Sequence, residues 1–206
     1  MINYTNGKSF NKNAENTTKS QIKPKSFSHG NRGMLFEADI NSSNEYYKNM
    51  GLCLVTKRPT PINVVSVDYS RGAIITNAYF EKQSTTDYNG VYKGRYLDFE
   101  AKSTKKTTSF PLANISPHQI EHLRQVLKHG GIAFFIIEFS TFDEVYFLEA
   151  KYVIDFYENN ERKSIPYETI KTQGQLIKKA FMPRLDYLEI IEKIYGKSLL
   201  FPANVS

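Results

Sequence analysis

Residues 131–139, GIAFFIIEF, constrain the fold more than any other segment, because a strand built from them is apolar on both faces. Such a strand must be covered on both sides, which places it inside a sheet. The segment EVYFLEA follows after a short break and predicts a neighbouring strand. SPHQIEHLRQVLKHGG precedes both and predicts a helix, with Ser116 as the cap, Pro117 in the first turn and Gly130 as the stop.

The predicted elements follow one another as helix, strands, helix, strands and helices. The first helix is predicted over residues 31–51. INVVSVDY and AIITNAYF flank the turn SRG and predict a β-hairpin, which the two prolines of RPTP separate from the strand before it. We therefore predict an α/β (α+β) fold with a mixed central sheet flanked by helices, and a hairpin that projects over residues 58–80.

Charge is distributed unevenly along the 206 residues. Lys and Arg number 27 against 21 Asp and Glu, which gives a net charge of +6, and residues 1–30 hold five lysines and one glutamate. This polar, lysine-rich segment is predicted to be a disordered tail, either simply solvated or acting as a nucleic-acid-binding arm. The basic bias permits a polyanionic partner, although many proteins of other functions are equally basic.

Two further features restrict the class of protein. Cys53 is the sole cysteine, so neither an intramolecular disulfide nor a cysteine-based zinc site can form, and its apolar neighbours predict a buried position. The longest apolar stretch is too short to cross a bilayer, and the N-terminus lacks the apolar core of a secretory signal. We expect a cytoplasmic protein without a membrane partner.

The segment TTDYNGVYKGRYLDFEAK, residues 85–102, carries the strongest chemical signal. From Arg95 onward the residues alternate, and one strand face collects Tyr96, Asp98, Glu100 and Lys102. Asp87 lies thirteen residues before Glu100, across a turn predicted at Asn89-Gly90. Two carboxylates suit Mg²⁺, which takes one or two of them together with water and phosphate oxygens. Lys102 would lie about 7 Å from Glu100 on the same face, within reach of the same phosphate.

A solvated strand face is the alternative interpretation of this charged segment. An acid two residues before a lysine recurs by chance, here at residues 149–151 and 161–163. The first copy differs because it has Asp87 upstream, a flanking acid on the same face and an apolar opposite face. That flanking acid, Asp98, either supports the site or forms an ion pair with a nearby lysine.

Other polar residues have two interpretations each. Gln119 lies three residues after Ser116, which is typical of a capping box. Glu37 either approaches a metal centre or is an exposed acid in the first turns of the first helix. The spacing of His118 and His122 suits a zinc pair, but no third ligand lies at the expected spacing, so they are predicted to be surface histidines like His129.

Several long motifs resemble the RecU family, the Holliday junction resolvases of low-GC Gram-positive bacteria. They run from NGKSF near the N-terminus through NRGM, KRPTP, the segment 85–102, KTTSFPL and HQIEH to PRLDY, and so cover nearly the whole chain. The resemblance implies a restriction-endonuclease-like nuclease domain over residues 31–206, with a stalk at the predicted hairpin. It also implies metal ligands at Asp87, Glu100 and Gln119 and at Thr85, which is expected on the same strand face as Asp87, with Lys102 as the catalytic lysine.

The function that this resemblance implies is the resolution of four-way DNA junctions by paired symmetric nicks in recombination and repair. Mg²⁺, or Mn²⁺ in its place, would assist water in attacking the phosphorus and leave a 5′-phosphate. A homodimer would match the two-fold symmetry of the junction, and the strand-exchange recombinase and branch-migration machinery are further expected partners. The basic residues expected to contact DNA are Lys57, Arg58, Arg71, Lys93, Arg95, Lys105 and Lys106, and the last four are expected to lie beside the active site.

Two rival functions use the same features. A sequence-specific restriction enzyme can be built on the same core, and it would cut linear duplex as readily as a junction. A non-catalytic junction-binding protein that regulates the recombinase is the second rival. Intact Asp87, Glu100 and Lys102 argue against a purely binding role, because nucleases that have lost their activity commonly lose one of these residues.

Overall fold

The structure, a computed structural model, describes residues 29–81 and 85–199. The α-helices in these ranges are α1 His29–Asn49, α2 Pro117–Lys128, α3 Ala150–Asn159, α4 Tyr167–Gln173 and α5 Tyr187–Leu199. The β-strands are β1 Leu54–Lys57, β2 Ile62–Asp68, β3 Ile74–Phe80, β4 Tyr88–Tyr92, β5 Arg95–Thr104, β6 Ser109–Pro111, β7 Ile132–Phe139, β8 Glu144–Glu149, β9 Ser164–Pro166 and β10 Gln175–Leu176. A short 3₁₀ turn, Leu112–Asn114, precedes α2.

The central sheet has the strand order β1-β4-β5-β7-β8-β10. Strands β5 and β7 run parallel, with Phe99 opposite Phe134, and α2 lies in the crossover between them, whereas the other neighbours are antiparallel. A parallel pair needs a long crossover, which explains why the helix stands between these two strands. The prediction of an α/β fold with a mixed central sheet flanked by helices is confirmed.

The two faces of the sheet bury separate hydrophobic cores. Helices α1 and α5 cover one face, where the rings of Tyr88, Phe99, Phe134 and Phe147 stack across four adjacent strands with centroids 4.8, 4.6 and 4.4 Å apart. Helices α2 and α3 cover the other face, which carries the alternate residues of the same strands. Strand β7 is buried on both sides, as its apolar sequence predicts.

The hairpin predicted between residues 58 and 80 forms a two-stranded sheet of its own from β2 and β3. Every residue of β3 is exposed, and Tyr69 and Phe80 leave 77% and 79% of their surface uncovered. The backbone N–H of Glu81 donates to the carbonyl of Pro61 at 2.9 Å and closes the base of the hairpin.

Some predicted boundaries were wrong. The turn expected at Asn89-Gly90 lies instead at Lys93 and Gly94, which both have positive φ angles of 47° and 77°. Gly90 is inside β4, where a Cβ atom would collide with the carbonyl oxygen of Leu54 on β1. The first helix begins at His29 rather than residue 31, and residues 1–28 of the predicted tail lie outside the described residues. In the described ranges, no helix has the length and apolar character needed to cross a membrane.

Candidate active site

Asp87 and Glu100 meet through the pairing of β4 with β5. Tyr88 is opposite Phe99 in this antiparallel ladder, so the next residue outward, Asp87, faces Glu100. The backbone N–H of Asp87 donates to Oε2 of Glu100 at 3.1 Å, and the N–H of Ala101 donates to Oδ2 of Asp87 at 3.4 Å. The predicted pair of carboxylates therefore comes together, although Asp87 lies in the bend before β4 and not on a regular strand.

Glu100 and Lys102 share one face of β5, as the alternation predicts. Nζ of Lys102 lies 2.5 Å from Oε1 of Glu100, and the lysine side chain is 24% exposed while the carboxylate is fully buried. Oε1 nevertheless lacks a well-directed hydrogen bond. Burial raises the pKa of Glu100 to about 7, and the negative charge of Asp87 adds to this effect while Lys102 opposes it. The alternative of a solvated strand face is excluded for Glu100.

Asp98 is also fully buried and is the centre of a polar network. Its Oδ2 atom accepts hydrogen bonds from Arg58 at 2.7 Å and from the Tyr96 hydroxyl at 2.9 Å, and lies 2.9 Å from Nε2 of His122. Its Oδ1 atom accepts the hydroxyl of Thr86. The ion pair predicted for Asp98 is therefore present, but its partner is Arg58 and not a lysine.

These contacts decide the charge state of Asp98. Burial alone would raise its pKa, but the hydrogen bonds from His122 and Thr86 and the charge of Arg58 outweigh burial and hold the pKa below its usual value. The surroundings of Asp98 therefore favour its ionised form, whereas those of Glu100 favour protonation. The two acids on one strand face thus have oppositely shifted pKa values, because both oxygens of Asp98 accept hydrogen bonds, whereas Oε1 of Glu100 lacks a directed one and Asp87 lies beside it.

The structure gives Gln119 the capping role. Its Oε1 atom accepts the backbone N–H of Ser116 at 3.0 Å, and its side chain is 5% exposed at the start of α2. Thr85 is partly buried two residues before Asp87 in the same bend, not on a strand face as predicted. Thr85 is close to Asp87 along the chain, and Gln119 lies on the helix whose His122 contacts Asp98. Their predicted role as metal ligands stays a prediction.

Glu37, on α1, forms an ion pair with Lys57 at the end of β1. Burial raises the pKa of Tyr88, and the negative charges of Glu37, Asp87 and Glu100 raise it further. All three acids therefore lie within electrostatic range of one phenol. The Tyr88 hydroxyl donates to Asn41 of α1 at 3.1 Å, which ties the helix to this end of β4.

The predicted DNA-contacting residues separate into three groups. Lys57 and Arg58 are engaged with Glu37 and Asp98 near the site. Lys93 pairs with Glu192 of α5 at 2.7 Å, and Arg95 donates to the carbonyl of Gly130 at 2.8 Å. Because Lys93 is in the β4–β5 turn, about 20 Å along the strand from Asp87, the prediction that Lys93 and Arg95 lie beside the site was wrong.

The third group is exposed. Arg71 lies at the tip of the β2–β3 hairpin. Lys105 and Lys106 follow β5 directly after the segment that carries Lys102, and they line an open cleft of about 500 Å³ together with Ser103, Thr104, Pro111, Asn114, Ser140 and Gly33. Basic side chains and backbone amides in such a cleft suit a phosphate backbone.

Sequence reasoning missed the roles of Thr86, Arg58 and His122. The contact of His122 with Asp98 corrects the expectation of a surface histidine, since its side chain is 24% exposed and lies on the sheet side of α2. A crossover helix between two parallel strands must cover one sheet face. This rule could have indicated that some polar side chains of α2, such as His122, face the charged side of β5. Within residues 29–81 and 85–199, no three His, Cys, Asp or Glu side chains form a metal-binding group.

The fold and the site define an α/β protein that holds a buried acid, a facing acid and a lysine at one end of a central strand pair. The model of the family "Recombination protein U" matches residues 31–193. The chain therefore belongs to the RecU family. The restriction-endonuclease-like fold implied by that resemblance has the form described above, a mixed sheet flanked by helices.

Curated relatives match almost the full chain. The Holliday junction resolvase RecU of Geobacillus sp. (strain WCH70) is 47% identical over 200 residues, which cover 95% of this chain and 98% of the relative. The protein of the same name from Bacillus cereus (strain AH820) is 48% identical over 199 residues, which cover 94% and 98%. Among solved structures, the Archaeoglobus fulgidus Holliday junction resolvase Hjc aligns with a TM-score of 0.43 and 16% identity, over 70% of this chain and 95% of that one.

Proposed function

We propose that this protein is a divalent-metal-dependent endonuclease that resolves Holliday junctions by paired, symmetric nicks in recombination and repair. The observation that carries the proposal is the convergence of Asp87, Glu100 and Lys102 at one end of β4 and β5. The names of the relatives supply the substrate class, a four-way DNA junction.

The donor set fits a hard cation such as Mg²⁺, with Mn²⁺ as a substitute. Glu100 presents a buried oxygen that lacks a directed hydrogen bond, and its pKa near 7 reflects a carboxylate whose charge is not fully compensated. Two carboxylates with open positions for water and phosphate are the usual Mg²⁺ arrangement. Asp87 and Glu100 would hold the ion, and the family resemblance adds Thr85 and Gln119 as further ligands. When bound, the ion would supply positive charge to the phosphate and acidify a nearby water.

Lys102 is the residue proposed to act on the reacting atoms. Its ammonium group is next to Glu100 and one quarter exposed, so it can reach both the site and a phosphate that approaches from solvent. There it would orient the attacking water and stabilise the negative charge that develops on the phosphoryl oxygens. The new bond joins the water oxygen to phosphorus, the bond to the 3′ oxygen breaks, and the products are a 3′-hydroxyl and a 5′-phosphate.

Two surfaces are proposed to contact the junction. The cleft with Lys105 and Lys106 adjoins the β5 segment that bears Lys102, so a phosphate backbone bound there would lead into the site. The β2–β3 hairpin presents Arg71 and the exposed ring of Tyr69 near its tip, and the exposed ring of Phe80 at its base. A cation with exposed aromatic rings suits unpaired or unstacked bases at a branch point. Lys93 and Arg95 would contribute only through DNA that extends beyond the site.

A homodimer is proposed on the symmetry of the reaction. The described residues of one chain supply one such site, and two symmetric nicks in opposing strands require two sites related by a two-fold axis. Association with the strand-exchange recombinase and the branch-migration machinery stays a prediction from the family resemblance.

The test compares the protein with its Glu100→Gln variant on a synthetic four-way junction with Mg²⁺, alongside gel-shift binding in EDTA. We expect the wild type to make symmetric nicks, and the variant to bind the junction without cutting it. Binding by both without cutting by either would favour the regulatory junction-binding protein. Equal cutting of linear duplex and junction would favour the sequence-specific nuclease.

A further inference from the structure

Arg58 holds the bend that carries Asp87 through both its backbone and its side chain. Its N–H donates to the carbonyl of Asp87 at 2.8 Å. Its Nη1 atom donates to Oγ1 of Thr86 at 2.8 Å and to the carbonyl of Thr86 at 3.3 Å. Residues 86 and 87 lie outside the regular ladder, so these bonds supply the order that strand pairing does not.

Asp98 anchors the other side of the same arginine. Nη2 of Arg58 donates to Oδ2 of Asp98 and to the hydroxyl of Tyr96, each at 2.7 Å, while Oδ1 of Asp98 accepts the hydroxyl of Thr86. The side chains of Arg58 and Asp98 are 18% and 0% exposed. If Arg58 turned outward to a DNA phosphate, Asp98 would lose a partner that it needs inside the protein.

We propose that Arg58, Asp98 and Thr86 form a positioning clamp that sets Asp87 against Glu100 at the distance a metal ion requires. Arg58 is in this view a positioning residue and not a DNA contact. The inference rests on the proposed metal-dependent function of the site. It gives Thr86 a role that sequence motifs leave unassigned, and it replaces the DNA contact predicted for Arg58.

The geometry explains why both ends of the clamp are needed. Asp98 lies two residues before Glu100 on the same face of β5, so it moves with one proposed ligand. Thr86 directly precedes Asp87 and moves with the other. Arg58 joins the two, and residues of this supporting kind typically change metal affinity 10- to 100-fold when they are mutated.

The cleanest test uses Thr86→Val and Thr86→Ser, since Thr86 is completely buried and cannot touch DNA. Mn²⁺ binding is followed by the loss of the free-ion EPR signal, and junction binding by gel shift in EDTA. Thr86→Val keeps the shape and loses the hydroxyl, so we expect about 10-fold weaker Mn²⁺ binding with junction affinity within twofold of the wild type. Thr86→Ser keeps the hydroxyl and should restore Mn²⁺ affinity.

Arg58→Gln and Asp98→Asn extend the test to the other two members, with circular dichroism melts to confirm that each variant is folded. If the clamp positions the proposed ligands, both variants should weaken Mn²⁺ binding and leave the affinity for the junction nearly unchanged. Weaker junction binding by Arg58→Gln with unaltered Mn²⁺ affinity would make Arg58 a phosphate contact and overturn the proposal. If Asp98→Asn does not fold, the Mn²⁺ affinities of Thr86→Val and Thr86→Ser test the proposal on their own.

The readouts separate this inference from the proposed function. If the wild type binds Mn²⁺ but does not cut junctions, the proposed nuclease activity is wrong. The Mn²⁺ affinities of the variants still test the clamp in that case. A wild type that binds no Mn²⁺ overturns the clamp, because there is then no ion for it to serve. Equal Mn²⁺ affinity of Thr86→Val and Thr86→Ser overturns it as well.

Discussion

The backbone N–H of Asp87 donates a hydrogen bond to the Glu100 carboxylate at 3.1 Å, which binds the two halves of the candidate site to one another. This contact follows from strand register, since Tyr88 and Phe99 are paired and their outer neighbours must face each other. Glu100 is consequently buried next to another acid with only a lysine to balance both. Such a site is costly to the free protein and is ready to accept a cation.

Glu100→Gln is expected to stabilise the metal-free protein at pH 8. The pKa of Glu100 is raised from 4.5 to about 7, so the folded state holds the extra proton between these values and stability falls as pH rises through about 7. Glutamine removes that charge, so we expect the free energy of unfolding to rise by about 2 kcal/mol at pH 8 and to change little near pH 5. Urea denaturation in EDTA at the two pH values measures this.

Glu149→Gln is the matched control for that experiment. Glu149 also precedes a lysine by two residues and lies 3.0 Å from Lys151, but Glu149 ends β8 and Lys151 lies in the first turn of α3. Mg²⁺ should stabilise the wild type and Glu149→Gln at pH 8 and should leave Glu100→Gln unaffected. A Mg²⁺ response that survives in Glu100→Gln contradicts the assignment of Glu100 as a ligand.

Lys102→Met is expected to slow junction cleavage about 100- to 1000-fold at saturating DNA and Mg²⁺, because it removes a donor that stabilises transition-state charge. Single-turnover kinetics measure the rate, and gel shifts in EDTA should give affinities within a few-fold of the wild type. Lys151→Met provides the control, since Lys151 pairs with Glu149 away from the site. A slow rate that recovers fully at higher DNA concentration would make Lys102 a binding residue instead.

The sequence predicted those parts of the site that depend on local pattern. Alternation along residues 95–102 indicated which face Glu100 and Lys102 share, and that face lies under α2 as a crossover helix requires. The same reasoning separated the copy at 100–102 from that at 149–151, whose two residues belong to different elements. Period-two patterns are reliable because each strand residue has only two directions to point.

The remainder depends on contacts between distant residues. Arg58 meets Thr86 and Asp98 across 28 and 40 residues, and no local pattern marks such a pairing. The misplaced turn has a similar cause. Asn89-Gly90 is a strong hairpin signal, but Gly90 is needed for its close approach to β1, while Lys93 and Gly94 supply the left-handed turn.

Gln119→Ala is expected to weaken both the helix cap and metal binding. The loss of the hydrogen bond to Ser116 should lower the free energy of unfolding by about 1 kcal/mol. Ser116→Ala disturbs the same cap without removing the amide, so it should lower stability and leave the Mn²⁺ affinity unchanged. If the two variants alter Mn²⁺ binding equally, Gln119 acts only as a cap, and the ligand role predicted for it is wrong. Thermal melts and Mn²⁺ titrations by EPR provide both readouts.

Lys106→Ala is expected to weaken junction binding in a salt-dependent way, because its exposed side chain lines the cleft beyond β5. Each phosphate contact that is lost reduces the slope of log K against log salt by about one. Gel shifts in EDTA from low to physiological salt measure the slope for the wild type, Lys106→Ala and the control Lys93→Ala. Since Lys93 is held by Glu192 at the opposite end of the β4–β5 hairpin, its removal should leave the slope for a short-armed junction unchanged. A reduced slope for Lys93→Ala and an unchanged slope for Lys106→Ala would contradict this prediction. The DNA would then contact the β4–β5 turn and not the cleft that Lys106 lines.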